Sequence, residues 1–155
     1  MAKKIICCLI ALTSMLSCGK NDGNCPDVTT TAPAAEVVTL KSYLDAAGIT
    51  ATEDPRGFFY TIVEPGASDK PSSCSGVTVN YTGTFTNGVT FDEGTNATFN
   101  LSQLIIGWQE GIPLIGNGGS ITLYLPPSLA YGSAGSGSIP PNSNLIFSII
   151  LKAIN

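Results

Sequence analysis

Histidine is absent from this sequence of 155 residues, and charged side chains are scarce. Without an imidazole the chain cannot use Ser–His or Cys–His catalysis, and it lacks the commonest metal ligand of proteins. Lysine and arginine number seven against eleven aspartate and glutamate residues, and the one basic cluster is Lys3-Lys4. A nucleic-acid-binding protein needs a positive surface that neutralises phosphates. We therefore expect no nucleic-acid partner, no metal ion and no cofactor.

The N-terminus lacks an apolar run long enough to cross a membrane. Its apolar stretch, residues 5–16, is shorter than the roughly 20 residues of a membrane-spanning helix. The stretch follows Lys3-Lys4, which is the layout of a signal peptide. It ends at Met-Leu-Ser-Cys, positions 15–18, which resembles the lipobox of bacterial lipoproteins. We predict a lipoprotein signal peptide over residues 1–17 and an acylated Cys18; the alternative is an ordinary secretory signal.

Two further cysteines would remain in the mature chain besides Cys18, namely Cys25 and Cys74. An exported protein meets an oxidising compartment, where an even pair of cysteines favours a disulfide. We predict that Cys25 pairs with Cys74, and the alternative is two free thiols.

Composition divides the rest of the chain into a tether, a helical segment and a domain. Residues 18–35 are rich in Thr, Ala, Pro, Asn and Gly, which is typical of a flexible tether. Apolar residues then return at helical spacing, and Gly48 provides a helix stop, so residues 36–56 are predicted as a short helical segment. This segment either packs on the domain or serves in dimerisation. Residues 57–155 form the predicted domain.

Alternating apolar and polar residues predict several β-strands in this domain. The alternation is clearest over residues 77–85, and period-two spacing of apolar residues marks further strands over residues 58–63, 121–125 and 145–151, the last with apolar residues on both faces. An Asn-Gly pair at positions 87–88 predicts a hairpin turn directly after the clearest strand.

One short helix is predicted among the strands. Its apolar face consists of Leu104, Ile105, Trp108 and Ile112. Gly107 and Gly111 lower its intrinsic stability, so tertiary packing must hold it in place. The whole pattern predicts an α+β fold in which a twisted antiparallel β-sheet is wrapped around one short helix.

Aromatic residues concentrate in short blocks around one carboxylate. The blocks lie at residues 77–83, 91–92, 104–111, 125–132 and 139–147. Rings gathered around a single acid favour an apolar pocket that grips a small cyclic group. The blocks, their order and their spacing resemble the FKBP-type peptidyl-prolyl cis-trans isomerases, in particular their secreted bacterial lipoprotein branch. The resemblance extends over residues 57–155 and implies the same FKBP-like fold.

The resemblance also implies a role for individual residues. Trp108 would form the pocket floor, and the backbone N–H of Ile105 and the hydroxyl of Tyr131 would bond the bound peptide. The implied catalytic residues are Asp92, Tyr131, Tyr81 and Ile105. The implied substrate-binding residues are Tyr81, Phe91, Asp92, Phe99, Leu104, Ile105, Trp108, Tyr131, Ile139 and Phe147. Each has a structural alternative: the aromatic residues could be core residues, and Asp92 could stabilise the fold.

The predicted function is therefore prolyl isomerisation. Rotation about an X-Pro bond breaks amide resonance, and a water-excluding cage of rings favours the twisted imide over the planar one. We expect a membrane-anchored, extracytoplasmic isomerase that acts on proline-containing polypeptide clients during the folding of exported proteins, with macrolides as possible inhibitors. The alternatives are an FKBP-like module that binds proline peptides or acts as a chaperone without turnover, and a structural surface lipoprotein.

Overall fold

The computed structural model describes Cys25 and residues 28–155, so the predicted signal peptide and Cys18 lie outside the described residues. Within the described part, no helix is both long enough and apolar enough to span a membrane. The regular elements, in chain order, are α1 (Ala34–Ala46), β1 (Thr52–Glu53), β2 (Phe59–Glu64), β3 (Gly76–Phe85), β4 (Thr90–Asn100), α2 (Ile106–Gly111), β5 (Ser120–Leu125) and β6 (Leu145–Ile154). Short 3₁₀ turns occur at Leu101–Gln103, Ile112–Leu114 and Pro127–Leu129.

The strands form one six-stranded sheet in the order β1-β2-β5-β6-β3-β4. All neighbouring strands are antiparallel, and β6 is hydrogen-bonded to both β5 and β3. The predicted α+β class, an antiparallel sheet with one short helix against it, is confirmed by this arrangement together with α2.

The main core lies between α2 and one face of the sheet. Alternate residues of β6, including Phe147 and Ile149, are buried here together with Trp108. Gly107 and Gly111 bring α2 close to β5, because a Cβ atom at either position would overlap the side chain of Leu125 or Leu123, respectively. The two glycines that weaken the helix in isolation are therefore needed for its contact with the sheet.

Helix α1 packs against the opposite face of the sheet. Its buried residues Leu40 and Leu44 contact Phe59 and Tyr124. The helix begins at Ala34, earlier than the predicted segment, and the chain leaves it through Gly48 in the left-handed conformation (φ +67°). Of the two roles predicted for this segment, packing on the domain is the one that the structure displays.

The turn between β3 and β4 is the predicted Asn-Gly hairpin. Gly88 has a positive φ of +83°, and the N–H of Phe85 donates to the carbonyl oxygen of Val89 over 2.9 Å. The prediction of a hairpin at positions 87–88 is confirmed.

Strand β4 is much longer than this turn alone indicates, and it is irregular. Its pairing with β3 shifts register twice, between Val79 and Tyr81 and between Gly83 and Thr84. At the first shift Asn96 adopts a positive φ of +51°. One extra residue in a strand reverses which of the following side chains face the core. The bulges therefore decide which residues of β4 can reach α2.

Cys25 is joined to Cys74 by a disulfide, with 5.6 Å between the Cα atoms. Cys74 lies in the loop that enters β3, and the hydroxyl of Ser73 is 3.0 Å from the Cys25 sulfur. The disulfide connects the start of the described chain to the base of the sheet.

Candidate active site

A small cavity opens between α2, strands β3, β4 and β6, and the loop after β5. Its volume is about 130 Å³. Pockets for drug-sized ligands measure roughly 300–1,000 Å³, so this cavity suits a single ring or side chain. Its lining consists of Tyr81, Asp92, Phe99, Leu104, Ile105, Trp108, Tyr131 and Phe147.

Trp108 forms the floor of the cavity and is only 4% exposed. Three rings stand nearly perpendicular to the indole. The distances between ring centroids and the angles between ring planes are 5.1 Å and 82° for Tyr81, 6.0 Å and 86° for Phe99, and 5.3 Å and 90° for Phe147. Such edge-to-face pairs are the favoured arrangement of aromatic rings. The result is a rigid apolar box with an indole at its base.

The indole Nε1 of Trp108 is buried and has no hydrogen-bond partner among the described residues. Buried donors of this kind are rare, because an unpaired one costs about 1–3 kcal/mol. The floor of the cavity therefore carries an unpaired donor alongside its apolar surface.

The one carboxylate of the lining, Asp92, lies at the exposed rim of the cavity. Its Oδ2 accepts a 2.8 Å hydrogen bond from the hydroxyl of Tyr81. Burial, and then this bond to Asp92, raise the pKa of Tyr81 from 10.0 to about 12. Burial and the nearby charge of Asp92 also raise the pKa of Tyr131. Both phenols thus keep their protons, and can donate hydrogen bonds, at neutral pH.

Ile105 caps the N-terminus of α2 with an extended backbone (φ −60°, ψ 148°). Its carbonyl oxygen accepts from the N–H of Trp108 over 2.9 Å. Its own N–H has no hydrogen-bond partner in the part of the chain that the structure describes. The first amides of a helix lack internal acceptors, so this one is free to donate to a carbonyl group at the cavity.

The structure brings eight of the ten predicted binding residues together around the cavity, and Phe91 and Ile139 lie behind it. Phe91 occupies the second irregularity of β4 and packs against Phe85 (4.9 Å between centroids) and against Phe147 (5.6 Å, 88°). Ile139 is buried in the main core. Phe91 therefore supports the wall formed by Phe147, and neither residue is part of the cavity lining.

Two strand glycines, to which the sequence analysis gave no role, make room for these rings. A Cβ at Gly94 would lie 2.5 Å from Cε1 of Tyr81, and one at Gly83 would lie 2.7 Å from Cζ of Phe91. A glycine inside a strand often marks a close approach of another group. The two glycines could be recognised in the sequence. The alternation of apolar and polar residues, however, does not predict which aromatic ring covers which glycine.

A wider cleft of about 600 Å³ lies on the other side of the sheet. Thr82, Thr122 and Ser148 are among the small hydroxyl side chains that line it, beside the exposed Val63 and Ile150. Tyr81 is the one aromatic residue in its lining, and the cleft has no indole floor. The aromatic cavity is therefore the better candidate site despite its smaller volume.

Comparisons with known proteins agree with this geometry. The family model described as FKBP-type peptidyl-prolyl cis-trans isomerase matches residues 67–152. The isomerase FkpA of Aeromonas hydrophila is 43% identical over 111 residues, which are 69% of this chain and 41% of that protein. The outer membrane protein MIP of Legionella longbeachae is 41% identical over 105 residues, which are 64% of this chain and 45% of that protein. The chain thus spans less than half the length of either relative.

Among solved structures, the crystal structure of FkpA from Escherichia coli superimposes with a TM-score of 0.71 at 37% sequence identity. The superposition covers 79% of this chain and 60% of that one. The similarity therefore extends over about four fifths of this chain.

Proposed function

This chain belongs to the family of FKBP-type peptidyl-prolyl cis-trans isomerases, and we propose that it accelerates cis–trans isomerisation of X-Pro bonds in polypeptides. The observation that carries the proposal is the box formed by Trp108 and its three perpendicular rings. Its volume of about 130 Å³ suits a pyrrolidine ring, and the proline ring is the only part of the substrate that has to enter the cavity.

The box would act on the relative stability of two states of the imide. The planar X-Pro bond has more charge separation than the twisted one, and the barrier between its isomers is roughly 18–20 kcal/mol. Water stabilises the planar imide more than the twisted imide. A rigid apolar cavity excludes water and therefore removes this preference for the planar state. Binding that favours the twisted state over the planar one raises the rate without a nucleophile.

Polar groups at the rim would orient the peptide around that twisted bond. The free N–H of Ile105 and the hydroxyl of Tyr131 are the donors for substrate carbonyl groups. Asp92 holds the hydroxyl of Tyr81 and adds a negative charge beside the site. We assign catalytic roles to these four residues, and substrate binding to the other lining residues, with Phe91 and Ile139 supporting them from behind.

The direct test is a protease-coupled assay on a short X-Pro peptide, with protein that begins at residue 19. We expect acceleration over buffer at micromolar protein without added metal or cofactor. If the folded protein bound the peptide, as reported by Trp108 fluorescence, but left the rate unchanged, it would be a proline-peptide-binding module and the isomerase proposal would fail.

A macrolide that fills the same cavity would inhibit competitively. The loop from Tyr131 to Ile139 begins at the rim of the cavity. It contains Gly135 and Gly137, both in left-handed conformations, and Ser138 is exposed to solvent. Few apolar contacts are available there, so we expect weak inhibition. Competition is tested by titrating the macrolide at several peptide concentrations.

We further propose an extracytoplasmic site of action, with a lipid anchor on Cys18 and exported polypeptides as clients. The signal-peptide layout of residues 1–18 supports it. So does the disulfide between Cys25 and Cys74, since such bonds persist in oxidising compartments. A similar protein is named an outer membrane protein. Mass spectrometry of membrane-extracted protein should show an acylated Cys18, and Cys18→Ala should release a folded protein; an unmodified N-terminus would contradict the anchor.

A further inference from the structure

Arg56 connects the segment before the matched family domain to the helix that carries the pocket floor. Its Nη2 lies 2.7 Å from Oε2 of Glu110, which is on α2 two residues after Trp108. Its Nη1 lies 3.1 Å from Oδ1 of Asp54. The side chains of Glu110 and Asp54 are only 12% and 10% exposed, and that of Arg56 is 35% exposed. Partly buried ion pairs of this kind are screened by salt less than fully exposed pairs.

The guanidinium is fixed from its own side of the contact. Asp54 also accepts the backbone N–H of Arg56 over 2.9 Å. The carbonyl of Asp54 accepts from the N–H of Gly57, and its N–H donates to the carbonyl of Phe58, which begins the core. The tight loop therefore presents the planar fork of Arg56 in one orientation, and such a fork can bond two carboxylates at once.

Helix α2 needs an external support of this kind. It has six residues, two of them glycines, and no side chain caps its N-terminus. Helices so short are unstable by themselves in water. The two glycines allow α2 to lie close to β5, and the ion pair between Arg56 and Glu110 adds a charged contact near the C-terminal end of the helix.

The same N-terminal segment also contacts the loop after β5, which carries Tyr131. Oε2 of Glu36, on α1, accepts a 2.9 Å hydrogen bond from the N–H of Ser128, three residues before Tyr131. Glu36 thus contacts the chain near Tyr131, and Arg56 contacts it near Trp108. Both residues precede residue 67, where the family match begins.

We propose that Arg56 is a positioning residue of the isomerase site: through Glu110 it fixes α2, and with it Trp108 and the N–H of Ile105. The inference rests on the proposed isomerase function. It concerns a residue outside the cavity lining, which contacts no substrate and acts only through the placement of α2.

The test uses Arg56→Met, which removes the fork and keeps much of the aliphatic stem, and Glu110→Gln, which leaves Arg56 paired with Asp54. We expect kcat/KM to fall about tenfold in each, because small misplacements of a site cost up to a hundredfold. The kcat/KM of the double variant should be no lower than that of either single variant, because both substitutions break the same ion pair between Arg56 and Glu110.

The fluorescence of Trp108 provides a second measurement that does not depend on activity. It is the one tryptophan of the sequence, so acrylamide quenching of native-state fluorescence reports directly on the pocket floor. We expect quenching to increase at least about twofold in both variants at temperatures well below melting. Arg56→Lys, whose ammonium cannot bond both carboxylates as a fork, should give an intermediate result.

The matched control is Lys41→Met, which breaks an ion pair on α1 whose partners are 55% and 64% exposed. It should leave kcat/KM and quenching unchanged. Melting temperatures that fall in Arg56→Met and Glu110→Gln, with kcat/KM and quenching like the wild type, would overturn the proposal and leave Arg56 a stabilising residue only. If the wild-type protein proves inactive, the isomerase function fails, and unchanged quenching would still decide against the restraint on α2.

Discussion

The hydroxyl of Tyr81 donates a 2.8 Å hydrogen bond to Oδ2 of Asp92 across the pair of strands β3 and β4. Tyr81 is opposite Gly94 in the register and Asp92 is opposite Gly83, so the bond runs diagonally over two glycines. It ties the carboxylate at the rim to a ring of the cavity wall. Charge and ring position are therefore coupled, and the coupling can be tested.

Replacing Asp92 by leucine should reduce turnover more than binding. The substitution keeps the approximate volume and removes the charge beside the site. A hydrogen bond to a charged group contributes about 1.5–3 kcal/mol, which corresponds to a tenfold to hundredfold change in rate. We expect kcat/KM for an X-Pro peptide to fall by that factor, while the Kd of a proline peptide changes less.

Tyr81→Phe is the matched control for Asp92→Leu, because it removes the same hydrogen bond and keeps the ring and the carboxylate. A smaller loss than in Asp92→Leu would assign the remainder to the charge itself. Full turnover in Asp92→Leu, accompanied by a lower melting temperature, would instead assign Asp92 to the fold and leave the apolar box as the catalyst.

Alkaline pH should destabilise the fold through Tyr81. Its pKa is raised from 10.0 to about 12, so above pH 10 the folded state holds a proton that the unfolded state has lost. Stability is then constant below about pH 10 and falls as the pH rises toward 12. We expect the urea midpoint to fall over this range, and to fall less in Tyr81→Phe.

Tyr131→Phe should also flatten the alkaline pH dependence of the urea midpoint, since burial and Asp92 raise the pKa of that phenol as well. Equal falls in wild type and Tyr81→Phe would show that the Tyr81 phenol is not held protonated by the fold.

Trp108→Ala should abolish proline-peptide binding as well as lower stability. Truncating a buried tryptophan costs roughly 3–5 kcal/mol, and here it also removes the pocket floor. Phe58→Ala is the matched control, because Phe58 is fully buried in the same core and does not line the cavity. Calorimetric titration at a temperature where both variants are folded should show binding by Phe58→Ala alone. Retained binding by Trp108→Ala would contradict the assignment of the floor.

The elements that could be predicted from the sequence are those with local signals. Alternation defined residues 77–85, and the Asn-Gly pair defined the following hairpin, because both depend on near neighbours in the chain. The bulge at Asn96 has no such signal. Strict alternation would place Asp92 and Phe99 on opposite faces of β4, since their numbers differ in parity, and the extra residue at the register shift brings both to the cavity.

The layering of the aromatic residues was equally beyond local patterns. Phe91 lies at the second register shift and packs behind Phe147, and Ile139 is part of the main core. Their distance from the cavity depends on how strands and loops stack, which alternation does not encode. The roles of Trp108 and Ile105 came from the resemblance of one short block, residues 104–111, to the family, and not from alternation.

Removing the disulfide should lower the free energy of unfolding by about 4 kcal/mol, the value expected for closing a loop of this length in the unfolded chain. Cys25 and Cys74 are separated by 49 positions. We expect the double variant Cys25→Ser/Cys74→Ser to have a lower urea midpoint and no sensitivity to reductant, whereas the oxidised wild type should respond to it. Two alkylatable thiols in freshly isolated, non-reduced protein would contradict the bond.

Gly94→Ala should impair the site more than the fold. A Cβ at this position would lie 2.5 Å from Cε1 of Tyr81, so the ring has to move and its bond to Asp92 is lost. Replacing a strand glycine otherwise stabilises by about 0.5–1 kcal/mol, because the unfolded chain loses freedom. Gly76→Ala is the control: it is also in a strand, but its nearest neighbour would be 3.3 Å away, at Cβ of Asn155. We expect kcat/KM to fall about tenfold, by loss of a hydrogen bond to a charged group, in Gly94→Ala and to remain unchanged in Gly76→Ala, with free energies of unfolding within about 1 kcal/mol of the wild type in both. Wild-type kcat/KM in Gly94→Ala would mean that the position of the Tyr81 ring does not limit catalysis.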